Sequence, residues 1–264
     1  MIGAIIGDIV GSRFEWNNHR SKKFDLFAPN CFPTDDSIMT LAVGKAFMTC
    51  KPDRSDLFDR TVFCMQEIGR RYPFCGYGGR FHGWMFSDHP APYNSFGNGA
   101  AMRVSACGFA AKSLGEAKAL SEVVTCVTHD HPEGIKGAEA TVTAIFLARS
   151  SASKEEIRRV IDSEYYPMDF TLDGIRDSYK FDETCQGTVP QALMAFFESA
   201  SFEDAIRNAI SIGGDSDTLA AITGGIAQAY YGVPQDIKDR SLKFLDERLL
   251  KIYQECEDFG LSPR

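Results

Sequence analysis

Helix start signals recur along this chain, and they constrain its fold more than any other feature. Three segments place a serine before an acidic residue three positions later, as in a capping box, and each precedes an apolar stretch. Apolar residues in such stretches repeat with a period near 3.6, whereas alternating strand-like runs are nearly absent. We therefore predict an all-α fold of roughly ten or more helices, arranged as a single globular multi-helix domain over residues 1–264. The three start signals are Ser113 with Glu116, Ser153 with Glu156, and Ser201 with Asp204.

Two prolines and two irregular regions refine this prediction. Pro132 and Pro190 suit the first turn of a helix, where a missing N–H removes no hydrogen bond. Residues 70–99 are rich in glycine, proline and aromatic residues, so they predict a long surface loop, which in a compact domain usually has a functional reason. Residues 163–188 form a second irregular stretch.

Composition excludes several classes of protein. The 264 residues carry a formal net charge of −8, which argues against binding nucleic acid through bulk electrostatics and suits a protein that gathers carboxylates around metal ions. The apolar N-terminus lacks a basic n-region and is interrupted by Asp8, and no segment approaches the ~20 apolar residues of a membrane span. None of the eight cysteines is three residues from another, so we expect free thiols in the reduced cytoplasm.

Two segments place acids and a hydroxyl directly before a helical pattern. Capping and the helix dipole alone account for either segment, since aspartate and threonine are preferred at helix starts. Together they supply more acid than capping needs, because each provides two carboxylates where a helix uses one capping side chain. The residues are Thr34, Asp35 and Asp36 in the first segment, and Asp215, Asp217 and Thr218 in the second.

Four carboxylates brought together would repel one another strongly unless a cation lay between them. All of the candidate ligands are hard oxygens, which suit Mg²⁺, Ca²⁺ or Mn²⁺ and do not suit Zn²⁺. Spacing along the chain does not show whether the two segments meet.

The N-terminal segment GAIIGDIVGSRFE carries a different pattern. Gly3, Gly7 and Gly11 recur at every fourth residue, so one face of the predicted helix is bare and can pack closely on a neighbour, with Asp8 near it. Glu15 follows where that helix is ending, and the pattern alone favours a solvated acid there.

Two further motifs are each open to two interpretations. In SFGNGAAMR, Gly97 and Gly99 flank Asn98 before a run of small residues, so the backbone N–H groups can cradle a phosphate or simply form a tight turn. In THDHP, a histidine at a helix end followed by a proline-started helix is favoured over a metal site, because no third soft ligand is nearby.

Taken together and in order, six motifs resemble the ADP-ribosylglycohydrolase family, which contains the dinitrogenase-reductase-activating glycohydrolase and the ADP-ribosyl-acceptor hydrolases. The resemblance runs from Ile2 to about Tyr231. It implies an all-helical fold, a centre of two Mg²⁺ or Mn²⁺ ions, and cleavage of the N- or O-glycosidic bond that joins ADP-ribose to an acceptor. The acceptor would be a protein side chain or a small molecule, and an ADP-ribosylated nucleotide is not excluded. The motifs are GAIIGDIVGSRFE, TDDS, SFGNGAAMR, THDHP, G-x-VPQAL and GGDSDTLAAITGG.

The resemblance also assigns roles to residues. Glu15 falls where some members place the acid that handles the leaving group or water, which replaces the solvated acid expected from its pattern. Phe96 would lie near the adenine, and His129 would contact the phosphate or ribose. Metal ligands would be Thr34, Asp35, Asp36, Asp215, Asp217 and Thr218, and the ADP-ribose groove would be lined by Ser95, Phe96, Gly97, Asn98, Gly99 and Met102. The sequence departs from the family at Ser37, where many members have threonine, and at Phe96, where tyrosine is frequent.

The implied mechanism is a metal-dependent hydrolysis. The metals would fix the distal ribose through its hydroxyls, the diphosphate would lie on the backbone of residues 97–99, and the glycosidic bond would break through an oxocarbenium-like state. Water would be activated by a metal or by a carboxylate such as Glu15 or Asp35. Two alternatives remain: a metal-dependent phosphohydrolase acting on a nucleoside diphosphate, and a non-catalytic ADP-ribose-binding module. The intact TDD and DSDT segments argue against the second.

Overall fold

A computed structural model describes residues 1–261, and these residues form helices joined by loops without any β-strand. The all-α prediction is confirmed, and the last residues of the predicted domain, 262–264, lie outside the described part. No helix among the described residues is long and apolar enough to cross a membrane. The helices are α1 Ile2–Gly11, α2 Asp35–Thr49, α3 Leu57–Gly69, α4 Gly79–Phe86, α5 Gly99–Met102, α6 Ser105–Ala110, α7 Leu114–Thr125, α8 Pro132–Arg149, α9 Lys154–Glu164, α10 Leu172–Ile175, α11 Cys185–Phe197, α12 Phe202–Ile210, α13 Ser216–Tyr231, α14 Gln235–Ser241, a 3₁₀ turn Leu242–Phe244, and α15 Glu247–Asp258.

The three predicted serine start signals each begin a helix. The hydroxyls of Ser113, Ser153 and Ser201 accept hydrogen bonds from the backbone N–H three residues later, at 3.1, 3.2 and 3.1 Å. The reciprocal bond of a full capping box forms at Ser153, whose own N–H donates to the Glu156 carboxylate at 2.8 Å. Local capping chemistry therefore set α7, α9 and α12 as the sequence indicated.

Two details of the sequence prediction are wrong. Pro132 is the first residue of α8 as expected, but Pro190 lies inside α11, because Thr184 caps that helix earlier by accepting from the N–H of Gly187 at 3.1 Å. The predicted loop over residues 70–99 contains α4, which buries Phe81, Trp84 and Met85 on one face. Their spacing of three and four residues is helical, and the surrounding glycines obscured it.

Helices α1 and α13 run antiparallel at the centre of the molecule with their backbones in direct contact. A Cβ atom placed on Gly7 would lie 1.9 Å from the carbonyl oxygen of Ala220, and one on Gly3 would lie 2.1 Å from that of Gly224. At the far end, a Cβ on Gly11 would lie 2.4 Å from the Cα of Asp217. All ten residues of α1 are buried. The bare face predicted from the glycine spacing therefore packs on α13 and brings the end of α1 to the start of α13.

Gly7→Ala should destabilise the protein strongly, because the new methyl group meets backbone atoms that can only move if the two helices separate. Overpacking of this kind costs on the order of 1–3 kcal/mol or more. Gly83→Ala in α4 is the matched control: nothing lies within 4 Å of its Cβ position, so alanine should be neutral or stabilise by up to about 1 kcal/mol through helix propensity. Chemical denaturation of both variants measures the difference, and equal stabilities would contradict the close packing.

Candidate active site

A cavity of about 340 Å³ opens where the residues after α1, the start of α2 and the start of α13 meet. Its volume falls in the range of small-molecule sites. All of the sequence-predicted site residues except Thr34 contribute to its wall: Glu15, Asp35, Asp36, Ser95, Phe96, Gly97, Asn98, Gly99, Met102, His129, Asp215, Asp217 and Thr218. Thr34 is the buried cap of α2 beside this wall. The two acidic segments, whose proximity the spacing left open, therefore line one cavity.

Asp8 anchors the start of α2, and sequence reasoning gave it no such role. Its carboxylate accepts hydrogen bonds from the hydroxyl of Thr34 at 2.6 Å, from the N–H of Thr34 at 2.9 Å and from the N–H of Ser37 at 3.0 Å. Thr34 in turn accepts from the N–H of Asp36 at 3.3 Å. The signal in the sequence was a lone acid in an otherwise apolar helix, since a buried carboxylate needs partners of this kind.

Asp215 occupies the N-cap position of α13, but its side chain makes no capping hydrogen bond. Its carboxylate instead accepts from the amide of Asn98 at 2.7 Å, and the same amide donates to Thr188 at 3.1 Å. Asn98, expected to line the substrate groove, also orients this carboxylate.

Buried oxygens without partners mark the centre of the cluster. Among the described residues, Oδ1 of Asp36 and Oδ1 of Asp217 are buried without a hydrogen-bond partner. Carboxylate oxygens of Asp8, Asp36 and Asp217 lie within 4.8 Å of one another, as do those of Glu15, Asp215 and Asp217. An unpaired buried oxygen is costly, and a cation would satisfy it. The hard oxygens present thus fit one or two divalent cations, with Asp217 common to both groups; Asp35 lines the cavity but belongs to neither group.

Burial and mutual repulsion dominate the electrostatics of the cluster. Burial raises the pKa of Asp36 and of Asp217 well above the usual range, and the neighbouring carboxylates raise these pKa values further. Burial raises the pKa of Asp8 to about 6, and burial with the charges of Asp215 and Asp8 raises the pKa of Glu15 to about 7. The acids are thus held together against their own repulsion, and a divalent cation would relieve it.

Asn18 ties the Glu15 segment to the turn that presents Asp215, and the sequence gave no signal for it. Its amide oxygen accepts from the N–H of Gly214 at 2.8 Å, while its amide nitrogen donates to the carbonyl oxygens of Gly214 at 3.1 Å and Glu15 at 2.8 Å. Gly213 and Gly214 have φ of 70° and 78°, which favours glycine at both positions. Asn18 therefore helps to fix the Glu15 segment relative to the turn that presents Asp215.

The loop of residues 95–99 uses part of its backbone internally. The N–H of Asn98 donates to the carbonyl oxygen of Glu183 at 2.7 Å, and that of Gly97 donates to the Ser95 hydroxyl at 3.2 Å. These two N–H groups donate within the protein and are therefore not free to donate to a phosphate, so fewer backbone donors remain for the predicted phosphate site.

His129 is buried against this loop. Burial, with the charges of Arg103 and Arg80, holds the pKa of its imidazole well below the usual range, so the ring is neutral. Arg103 donates to the Thr128 hydroxyl at 2.6 Å, which leaves that hydroxyl to donate to Nδ1 of His129 at 2.7 Å. Nε2 then carries the proton, and it lies 3.4–3.5 Å from the Cβ positions of Gly97 and Gly99. The neighbouring His131 instead caps α8, the proline-started helix that was predicted.

Asn18→Ala should weaken the binding of Mn²⁺ by about 10-fold or more, the usual effect of removing a group that orients metal ligands. Its neighbour Asn17, exposed in the same loop, provides the matched control, and Asn17→Ala should leave metal affinity unchanged. Calorimetric titration of Mn²⁺ into both variants, beside their thermal unfolding, separates this effect from general loss of stability. Equal affinities in the two variants would show that Asn18 does not position the site.

Comparison with known proteins agrees with this architecture. A sequence model described as ADP-ribosylglycohydrolase matches residues 1–259. The ADP-ribosylarginine hydrolase Tri1 of Pseudomonas putida is 28% identical over 261 residues, covering 88% of this chain and 70% of Tri1. The ADP-ribosylhydrolase ARH3 of Bos taurus is 25% identical over 314 residues, covering 89% and 84%. A protein of Archaeoglobus fulgidus is 29% identical over 177 residues, so that match spans 59% of this chain and 57% of the archaeal protein.

Among solved structures, one titled "ADP-ribosylglycohydrolase-related protein complex" superposes with a TM-score of 0.66 and 23% identity, covering 98% of this chain and 95% of that one. This likeness establishes the fold. The family model covers nearly the whole described chain, and the chain belongs to the ADP-ribosylglycohydrolase family.

Proposed function

We propose that this protein is a metal-dependent hydrolase that cleaves the glycosidic bond between ADP-ribose and an acceptor, and so reverses ADP-ribosylation. The observation that carries the proposal is the convergence on one cavity of acids from the segment after α1, the start of α2 and the start of α13, with buried oxygens of Asp36 and Asp217 left unpartnered. Two relatives are named as hydrolases of ADP-ribose linkages, which supports the same chemistry here.

The ligands of the proposed metal centre are the six residues of the two helix starts. Thr34 donates its hydroxyl proton to Asp8, which leaves an oxygen lone pair for a cation, and Thr218 likewise donates to Asp36 at 3.2 Å. Two Mg²⁺ or Mn²⁺ ions would balance the four aspartates in charge, and they would supply electrostatic stabilisation beside the reacting bond. The proposed ligands are Thr34, Asp35, Asp36, Asp215, Asp217 and Thr218.

Glu15 is the proposed general acid–base. It is half-buried, lies on the segment after α1, and has a carboxylate oxygen within 4.8 Å of oxygens of Asp215 and Asp217. In hydrolysis it would transfer a proton between the attacking water and the departing atom of the acceptor. Asp35, which lines the cavity outside both close groups of oxygens, is the second candidate for this role.

The remaining wall suits ADP-ribose. The Phe96 ring is 42% exposed and offers a flat surface for the adenine, while the Nε2–H of the neutral His129 can donate to a phosphate or ribose oxygen. Ser95, Gly97, Asn98, Gly99 and Met102 complete the proposed groove.

Product analysis distinguishes this function from that of a phosphohydrolase. ADP-ribose conjugates of arginine, serine and a nucleotide are incubated with the protein and Mg²⁺, and products are identified by mass spectrometry. We expect release of intact ADP-ribose from at least one conjugate. Release of AMP would instead show cleavage of the diphosphate, and binding without any product would indicate a non-catalytic module.

Chelation and ligand variants test the metal centre. EDTA should abolish turnover and Mg²⁺ or Mn²⁺ should restore it, and a hundredfold excess of metal over its Kd should stabilise the fold by about 2.7 kcal/mol. Asp36→Ala and Asp217→Ala should each lower activity by orders of magnitude and remove this stabilisation. In metal-free buffer the same variants should be no less stable than the wild type, because each removes a repelling buried carboxylate.

Asp246→Ala is the matched control for a purely structural aspartate. Asp246 caps α15 by accepting from the N–H of Leu249 at 2.8 Å and lies outside the cavity wall. Losing the cap should cost about 1 kcal/mol of stability, losing the hydrogen bond from the Tyr72 hydroxyl at 2.8 Å should add to that cost, and turnover should stay intact. If the Asp36 and Asp217 variants behaved like this control, the two aspartates would be caps and the metal assignment would be wrong.

Glu15→Gln separates chemistry from binding. It keeps the shape of the side chain and removes its proton transfer, so kcat should fall by about 10²–10⁴-fold while the affinity for ADP-ribose changes by no more than a few-fold. Glu15→Asp keeps the charge but withdraws it by one methylene, and an intermediate rate is expected. Single-turnover cleavage and calorimetric titration of ADP-ribose measure the two effects. Near-normal cleavage with weakened binding would transfer the acid–base role to Asp35.

A further inference from the structure

Two aromatic side chains stack on each other at the mouth of the cavity, beside Glu15. Trp16 follows Glu15 in the chain and is 79% exposed, and its ring lies on that of Phe181, with centroids 5.1 Å apart and planes 23° from parallel. Phe181 belongs to the segment between α10 and α11 and lines the cavity together with Glu15. Large exposed aromatic surfaces at a cavity mouth usually contact a ligand or partner.

Carboxylates lie beside the aromatic stack. Glu15 and Glu183, which are not among the proposed metal ligands, line the cavity together with Phe181. The segment Lys180–Glu183 carries one lysine against Asp182 and Glu183, a net charge of −1. Two arginines near the cavity already have partners: Arg20 donates to the carbonyl oxygens of Ile212 and Tyr179 at 2.9 and 2.6 Å, and the guanidinium of Arg80, in the cavity wall, lies 4.7 Å from the ring centroid of Tyr93.

Resting on the function proposed above, we propose that Trp16 and Phe181 form the acceptor platform and that they select a planar, positively charged leaving group such as a guanidinium. The flat face of a guanidinium stacks favourably on an indole ring, where cation–π attraction is strongest, and its N–H groups can bond to Glu15 and Glu183. A serine acceptor offers neither a flat face nor a charge, so it gains nothing from the platform.

The reaction on such a conjugate is a simple hydrolysis. The bond between C1 of the ribose and the guanidine nitrogen breaks, water supplies a hydroxyl group to the carbon and a proton to the departing nitrogen, and the products are ADP-ribose and a free guanidinium. Glu15 precedes Trp16 in the chain and lines the same cavity as Phe181, so it is the group placed to transfer that proton. The platform thus positions the acceptor while Glu15 acts on it.

The test compares two peptides of the same sequence that carry ADP-ribose on arginine or on serine. Wild type should have the higher kcat/KM on the arginine conjugate. Trp16→Ala and Phe181→Ala should each lower that kcat/KM by about 3- to 30-fold. The Trp16 side chain also hydrogen-bonds to that of Glu15, so Phe181→Ala is the discriminating variant: it should act mainly through KM and should change the serine conjugate by less than about twofold. Trp16→Phe should retain most of the preference, and affinity for free ADP-ribose should stay at the wild-type value in every variant.

Phe63→Ala provides the matched control, since Phe63 is 56% exposed on α3 and lies outside the cavity wall. It should leave both conjugates unaffected. Equal losses on the two conjugates in Phe181→Ala, or a wild-type preference for serine, would overturn the platform while leaving the hydrolase function in place. An equally large loss on an ADP-ribosylated nucleobase, which is flat but neutral, would overturn the charge selection. If wild type released ADP-ribose from no conjugate, the proposed function itself would fail.

Discussion

The contact between the backbones of α1 and α13 is the interaction on which the rest of this structure depends. Gly3, Gly7 and Gly11 allow the two helices to touch without side chains between them, and the antiparallel pairing sets Gly11 against Asp217. The segment after α1 then reaches the start of α13 without a long connection. The acids after α1 and those at the start of α13 share one cavity because the three glycines let the two helices approach closely.

This packing brings like charges together, and hydrogen bonding within the protein holds them there. Asp8 is fixed by Thr34 and Ser37, Asp215 is fixed by Asn98, and Oδ1 of both Asp36 and Asp217 remains unpartnered. The anchored acids give the cluster its shape, and the unpartnered oxygens give it the capacity to bind a cation. A cluster held in this way is pre-organised for a cation, because its side chains would need little rearrangement when the cation binds.

The sequence predicted what depends on local chemistry. Ser153 and Glu156 form a capping box wherever the helix lies, and the Gly3–Gly11 spacing requires a close neighbour whichever helix supplies it. Pro190 was misplaced because the side chain of Thr184, six residues earlier, caps the helix. The role of Asn18 was not predictable, because it depends on a contact with Gly214 that is 196 residues away in the chain. Family resemblance grouped the acids correctly at one cavity, but the anchoring by Asp8 and Asn98 became visible only in three dimensions.

The site has two parts, a rigid acidic end and an exposed mouth that tolerates substitution. Its acidic end is built from the ends of buried helices, where a substitution such as a larger residue at Gly11 would meet backbone atoms. Its mouth is built from exposed loop residues, Trp16 and Phe181, whose replacement disturbs no helix packing. If the proposed platform holds the acceptor, changes at the mouth would alter which acceptor binds while the buried acids keep their positions. Under the proposed function, such a fold would keep one reaction while its acceptor changes, because exposed loop residues tolerate substitution better than the ends of buried helices do.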